Sequence, residues 1–284
     1  MVSKISKMEP RDFGPPPAGR FEVKPTPEEV AFFKDNGYLA VDRITTDEEL
    51  VWLTAIYEHI FEGPGPLDRS GIQADPTTRG KITQFFNPEM RFPQLLETNY
   101  VRNAKLYAAA FLAEDVANLT MWGHMIRKAP GGREVPPHQD IAFWPPDYDY
   151  RNVNVWLPLH DCDVDMGAMQ FRPGSHANGC LPHHHYDHPS QNLLVLDNPN
   201  ALAEPVACPM TRGGCTFHDP STVHQTNVNA TDRPRLAFPI TVQTLPERRT
   251  TPRPTPWLDE FTEAIGGRKQ TTYTADGIEL PLPV

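Results

Sequence analysis

Apolar positions in the first third of the chain recur every three or four residues. In "TPEEVAFFKDNG", Thr26 and Glu29 form a capping box, Pro27 suits a first helical position, and Gly37 is a natural stop. The following "YLAVDRI" reads as a strand. In "TDEELVWLTAIYEHIFEG", Leu50, Leu53, Ile56, Tyr57 and Ile60 make an apolar stripe, with Thr46 and Glu49 as a second capping box. "QLLETNYVRNAKLYAAAFLA" predicts a third helical region. After residue 117 the texture changes to short segments rich in β-branched and aromatic residues, broken by Gly, Pro and Asp: "LTMWGHMIRK", "NVNVWLPLHD", "AMQFRP", "GCTFHD" and "RLAFPITVQT". That pattern predicts a β-sandwich or barrel behind a helical N-terminal third. A proline-rich connection, "RRTTPRPTP", leads to a short helix, "WLDEFTEAI". Residues 1–24 show no period and read as a flexible arm, disordered or draped on the surface. Residues 25–284 read as a single domain, because no composition shift marks a second one.

Composition narrows the function classes. The 284 residues are 39% hydrophobic, enough for a sizeable core. A net charge of −10 argues against a nucleic-acid surface, which needs clustered Lys and Arg. No apolar run approaches a bilayer span, and the N-terminus lacks the apolar stretch of a secretory signal, so the expectation is a cytoplasmic protein with no membrane contact. Cys162, Cys180, Cys208 and Cys215 form no CxxC pair and suit reduced thiols. The 32 prolines favour loops and short strands.

The chemistry begins at "PPHQDIAFWP". If this stretch is extended, His138 and Asp140 face one side and Gln139 the other. A third ligand is offered by His218 or His224, of which His224 has the better context. Two imidazoles and one carboxylate on one face of a metal form the facial triad of non-haem Fe(II) oxygenases. Arg235, at the start of the next predicted strand, is placed to clasp a carboxylate, with Arg233 as its competitor. The histidine-rich "LPHHHYDHP" has loop composition and reads as a solvated or lid-like loop. Phe143 and Trp144 follow the ligand pair closely enough to serve as a substrate wall or as core packing.

Together these pieces resemble the phytanoyl-CoA dioxygenase family of Fe(II)- and 2-oxoglutarate-dependent oxygenases. "HQD" at 138–140, "VNVWLPLHDCDVDMGAMQFRPGSH" at 153–176 and "HQTNVNATDRPRLAF" at 224–238 match its segments in order. The resemblance implies a mainly β fold with flanking helices: a double-stranded β-helix (jelly roll, cupin-like) buttressed by N-terminal helices, its core spanning about 117–245. It implies Fe(II) on His138, Asp140 and His224. It places the far carboxylate of 2-oxoglutarate on Arg235 with Thr226, and Gln139 and Trp156 around the cosubstrate. Halogenating relatives lack the carboxylate ligand, so Asp140 favours hydroxylation with O2, 2-oxoglutarate and a small-molecule substrate, releasing succinate and CO2. A zinc-dependent hydrolase or a non-catalytic jelly-roll binding protein are the alternatives. The sequence does not specify the oligomeric state.

Overall fold

In the computed structural model, residues 13–61, 81–189 and 193–266 are described in full, and residues 72–74, 271–273 and 279–281 by backbone alone. Helix α1 (Pro27–Asn36) starts on the reciprocal Thr26–Glu29 box and stops at Gly37. Gly37 has φ 78°, and a Cβ there would stand 2.4 Å from both His176 Nδ1 and Thr222 Oγ1. Only glycine lets the chain turn this close to its neighbours. Helix α2 (Asp47–Phe61) buries the predicted stripe of Leu50, Leu53, Ile56, Tyr57 and Ile60. Its Thr46 hydroxyl does accept from Glu49 N, at 3.2 Å. The second half of the expected box is absent, however. The fully buried Glu49 carboxylate accepts instead from the backbone of Asn99 (2.7 Å) and Tyr100 (2.9 Å), at the start of helix α3 (Asn99–Leu112). Those amides are unpaired in their own helix and lie at its positive end, so a carboxylate satisfies both needs.

The N-terminal arm is pinned over the part that the structure describes. Phe21 N and Val23 N donate to the side chains of Asn99 and Asn103, and Trp52 Nε1 donates to Phe13 O. Residues 1–12 lie outside the described residues.

The strands, in chain order, are β1 (Tyr38–Val41), β2 (Ile72–Ala74), β3 (Ile82–Phe86), β4 (Thr120–Lys128), β5 (Val135–His138), β6 (Tyr148–Asp149), β7 (Asn152–Trp156) and β8 (Met169–Phe171). They continue with β9 (His183–His185), β10 (Leu194–Leu196), β11 (Val206–Ala207), β12 (Cys215–His218), β13 (His224–Thr226), β14 (Arg235–Ala237), β15 (Ile240–Gln243) and β16 (Glu247–Arg248). The larger sheet runs β1-β12-β7-β15-β4-β3-β2, with β14 also on β4; the smaller runs β11-β8-β13-β5. The two antiparallel sheets are the leaves of the jelly roll. The outer face of the larger sheet presents Met121, Met125, Val153, Val155, Phe217, Ile240 and Val242 to α2 and α3, forming the main core. Its inner face looks toward the smaller sheet, and the site lies between them. Pro239 divides the predicted "RLAFPITVQT" strand into β14 and β15, because proline cannot donate to a ladder.

The histidine-rich stretch is not the expected irregular loop. His183–His185 form β9, paired with β10. Helix α4 (Pro256–Ala264) packs on it, where Trp257 joins Ala142, Leu194 and Leu258 in a small cluster.

Candidate active site

Pairing register brings the first two site residues together. His224 on β13 lies directly opposite His138 on β5. The backbone remains extended through Gln139 (φ −120°, ψ 136°) before a 3-10 turn begins at Asp140. Alternation therefore places His138 and Asp140 on one side, as the sequence suggests. Potential ligand atoms of His138, Asp140 and His224 all lie within 4.8 Å of one another. Asp140 Oδ1 stands 3.7 Å from His138 Nε2 and 3.5 Å from His224 Nε2.

Each group is oriented by a second contact. His138 Nδ1 donates to Pro136 O (2.8 Å), and His224 Nδ1 donates to Thr222 O (2.9 Å). Both rings thus turn Nε2 toward the common centre, the arrangement in which a backbone carbonyl fixes the tautomer of a metal-binding imidazole. The other carboxylate oxygen, Asp140 Oδ2, accepts from His218 Nε2 (2.9 Å) and from Asn154 Nδ2. Asn154 is held in turn by Thr241 Oγ1 at 2.7 Å. The Asp140 side chain therefore bridges from the ligand-bearing sheet to the inner face of the larger one. His218, the sequence's competing ligand, is its anchor.

Burial pushes the His138 pKa down to about 3, with help from His224 beside it. Burial also lowers His218. For His224, burial works against the charged form, but the Asp140 carboxylate outweighs it and raises the pKa. Burial opposes the charge of Asp140 too, yet His224 and His218 together hold its carboxyl well below the usual range. Neutral imidazole and ionised carboxylate are the metal-binding forms. Two imidazoles turned Nε2-first toward one ionised carboxylate fit a divalent first-row metal, which would displace the proton that Asp140 favours on His224. The side chains of His138 and Asp140 retain 12% and 26% of their exposure, against 6% for His224, so the cluster is approached from the His138–Asp140 side.

A second feature lies beside it. Arg235 is buried, donates from Nη1 to Gly167 O (2.7 Å), and sits 5.3 Å above the Trp156 ring. Opposite it in register is Lys128, also fully buried. Lys128 Nζ donates to Thr226 Oγ1 (3.0 Å) and to Asn227 O. Neither cation has a carboxylate partner among the described residues. Burial, and then the Arg235 charge, push the Lys128 pKa down to about 6. Arg235 thus stands charged in a dry place beside a Lys128 amine that burial holds largely uncharged at neutral pH, and an anion placed between them would pair with the guanidinium and favour the charged form of Lys128. Gly167 keeps the space open: at φ +87°, a Cβ would stand 3.4 Å from Lys128 Nζ and 3.7 Å from Arg235 Nη1. This cradle fits a carboxylate.

The sequence-derived site residues separate accordingly. His138, Asp140 and His224 converge, while Arg235, Thr226 and Trp156 line the cradle. Gln139 does not. Its amide donates to Gly179 O and Ser221 O and accepts from Leu181 N, all away from the metal cluster, so its expected cosubstrate contact gives way to a structural one. Arg233 is exposed. Phe143 meets His138 edge to face at 5.7 Å, whereas Trp144 is buried against Tyr150. Trp144 is therefore core packing rather than a substrate wall. His183 accepts a hydrogen bond from Gln139 N at 3.2 Å, which makes β9 a brace for the ligand pair. Sequence reasoning missed Lys128, Asn154 and Gly167. Counting alternate residues back along "TMWGHMIRK" places Lys128 on the inner face, and that was the available signal for it.

The family pattern of phytanoyl-CoA dioxygenase (PhyH) matches residues 33–237. The chain belongs to the phytanoyl-CoA dioxygenase family. The chain is accordingly an Fe(II)- and 2-oxoglutarate-dependent oxygenase, and it brings together the His138, Asp140 and His224 donors that could hold a metal. Phytanoyl-CoA dioxygenase of Arabidopsis thaliana is 25% identical over 256 residues, covering 76% of this chain and 88% of that protein. Phytanoyl-CoA dioxygenase domain-containing protein 1 of Mus musculus is 29% identical, and the match spans 46% of this chain and 46% of the mouse protein. Among solved structures, EvdO2 from Micromonospora carbonacea var. aurantiaca, complexed with 2-oxoglutarate, superimposes with a TM-score of 0.73 at 31% identity, covering 84% of this chain and 99% of that one. EctD from S. alaskensis shares the fold at 18% identity, with a TM-score of 0.62 over 84% of this chain and 88% of that chain.

Proposed function

We propose that the protein binds Fe(II) on His138, Asp140 and His224, binds 2-oxoglutarate through Arg235 and Lys128, and hydroxylates a small organic molecule. The observation that carries this reading is the buried Arg235–Lys128 pair, which has no carboxylate partner among the described residues, beside the facial triad. A zinc-dependent hydrolase has no use for such a cradle, and a non-catalytic jelly roll has no reason to retain both features.

When bound, Fe(II) and 2-oxoglutarate supply the oxidising chemistry: O2 is consumed, the cosubstrate becomes succinate and CO2, and one oxygen atom enters a C–H bond of the substrate. The chain's own residues hold and orient. Arg235 offers a planar fork to the far carboxylate, Lys128 a second cation, and Thr226 a hydroxyl that fixes Lys128. Trp156 covers the guanidinium and excludes water from it. His218 and Asn154 hold Asp140 Oδ2, leaving Oδ1 for the metal. Phe143 walls the approach beside His138.

Among the described residues no helix is long and apolar enough to cross a membrane. All four cysteines are free, which fits a reducing compartment. A cytoplasmic location and the absence of nucleic-acid partners remain part of the proposal. The reading is tested by O2-dependent formation of succinate from 2-oxoglutarate with added Fe(II). Turnover that persists without oxygen, or with zinc alone, contradicts it.

A further inference from the structure

The inner face of β4 carries Trp122, His124, Ile126 and Lys128 at two-residue steps of about 6.6 Å. Lys128 belongs to the carboxylate cradle. At the other end, pairing register aligns Trp122 with Thr241, Thr241 with Asn154, and Asn154 with His218. Trp122 therefore shares a row and a face with the two residues that anchor Asp140. His124 lies between this row and the cradle.

Three aromatic rings gather here. Phe86 on β3 lies directly across from His124, with ring centroids 5.3 Å apart and planes inclined by 22°. Trp122 stacks on His124 at 5.9 Å and 24°. If these rings served only to pack the core they would be sealed, as Phe85 is on the opposite face at 1% exposure. Instead all three are half-buried and retain reachable surface. His124 Nδ1 is buried with no partner among the described residues. Burial holds the imidazole neutral, with its pKa lowered to about 4. A neutral imidazole offers one donor and one acceptor and no charge.

We propose that Phe86, His124 and Trp122 form a substrate subsite for a neutral, ring-bearing molecule that carries a hydrogen-bonding group beside the ring. This rests on the oxygenase reading above and specifies the class of substrate. Near-parallel aromatic faces favour a flat ring or the C–H face of a saccharide over a flexible chain. The hydrogen-bonding group would meet His124 Nε2, the ring nitrogen that is not sealed, rather than the buried Nδ1. A thioester of coenzyme A fits poorly, because Phe86, His124 and Trp122 offer no cation for its phosphates among the described residues and the cradle groups are engaged by the cosubstrate. The carboxylate of Asp140 also opposes anions on this face.

The test uses protein labelled with fluorotryptophan and loaded with zinc, which keeps the metal site diamagnetic, and 2-oxoglutarate. The chain has five tryptophans, and a Trp122→Phe variant identifies the Trp122 fluorine signal. Indole, methyl glucoside and palmitoyl-CoA are titrated in turn. The expected result is a saturating shift of the Trp122 signal with indole, with the glucoside, or with both, and none with palmitoyl-CoA. The two ring probes distinguish planar from saccharide ligands. His124→Ala weakens the ring probe by about fivefold, the loss of one neutral hydrogen bond, and His124→Gln recovers part of it. A Trp122 signal unmoved by both ring probes, or moved by palmitoyl-CoA alone, overturns the subsite. Binding of 2-oxoglutarate, followed by calorimetry on the same sample, tests the oxygenase reading separately.

Discussion

At the scale of single residues, the cradle is the most informative part of the protein. Arg235 and Lys128 face one another across a strand pair, 107 positions apart in sequence. Truncating one partner of a buried charge-assisted contact costs about 2–5 kcal/mol. Arg235→Ala is therefore expected to weaken 2-oxoglutarate binding by about 30-fold or more, with little change in metal affinity. Arg235→Lys recovers only part, because an ammonium lacks the planar fork. Arg233→Ala, at an exposed position, leaves cosubstrate affinity nearly unchanged. Calorimetric titration of the three variants checks the set. Equal effects of the Arg233 and Arg235 changes contradict the placement.

Lys128 adds a pH dependence. Its pKa of about 6 lies below the ordinary lysine value, so the folded protein without cosubstrate binds fewer protons there than the unfolded chain. Stability on this account rises with pH between about 6 and the unfolded value near 10.4. A carboxylate placed beside Lys128 favours its charged form, so cosubstrate binding at neutral pH takes up a proton. Calorimetry in buffers of different ionisation enthalpy is expected to show an uptake of about one proton. An uptake of zero means that Lys128 does not face the carboxylate.

At the scale of elements, the helices owe their positions to contacts between them as much as to their own patterns. The Thr46–Glu49 spacing has the form of a capping box, yet Glu49 caps α3, with Thr45 Oγ1 as a further donor. Sequence spacing within one helix cannot report a partner 50 residues away. Glu49→Ala leaves two helix-end amides buried without an acceptor and is expected to cost about 2–4 kcal/mol, read as a lower urea midpoint. Loss of less than about 0.5 kcal/mol contradicts the cross-helix cap. Short runs of β-branched and aromatic residues between Gly, Pro and Asp were enough to predict β4, β7 and β12, and period-two alternation correctly turned Gln139 away from His138 and Asp140. The resemblance drew Gln139 toward the cosubstrate, and the local geometry prevailed. The histidine tract was misread because β9 is three residues long, too short to display a period, and its order comes from β10 and α4.

At the scale of the whole molecule, the family match ends at residue 237, and the chain beyond it turns back over the site. Strand β16 pairs with β6, and Arg253 donates to the carbonyls of Trp144, Pro145 and Tyr148. Trp257 Nε1 donates to Ala142 O at 2.8 Å. These contacts hold the segment that follows Asp140, including Phe143. Trp257→Ala is therefore expected to speed hydrogen exchange in residues 140–150 while the β4–β15–β7 ladder stays protected. Uniform loss of protection assigns Trp257 to global stability instead. The overall architecture was legible in the sequence because helices precede strands and their periods differ. The convergence of two sheets on one carboxylate was not, because Asp140, Asn154 and His218 meet through tertiary register alone.

The most direct test of the central claim is a crystal structure grown without oxygen, with Fe(II) and 2-oxoglutarate added. The account predicts iron on His138 Nε2, Asp140 Oδ1 and His224 Nε2, with the far carboxylate of the cosubstrate between Arg235 and Lys128. Iron bound through His218 or the His183–His185 strand, or a cosubstrate carboxylate that avoids both cations, would contradict it.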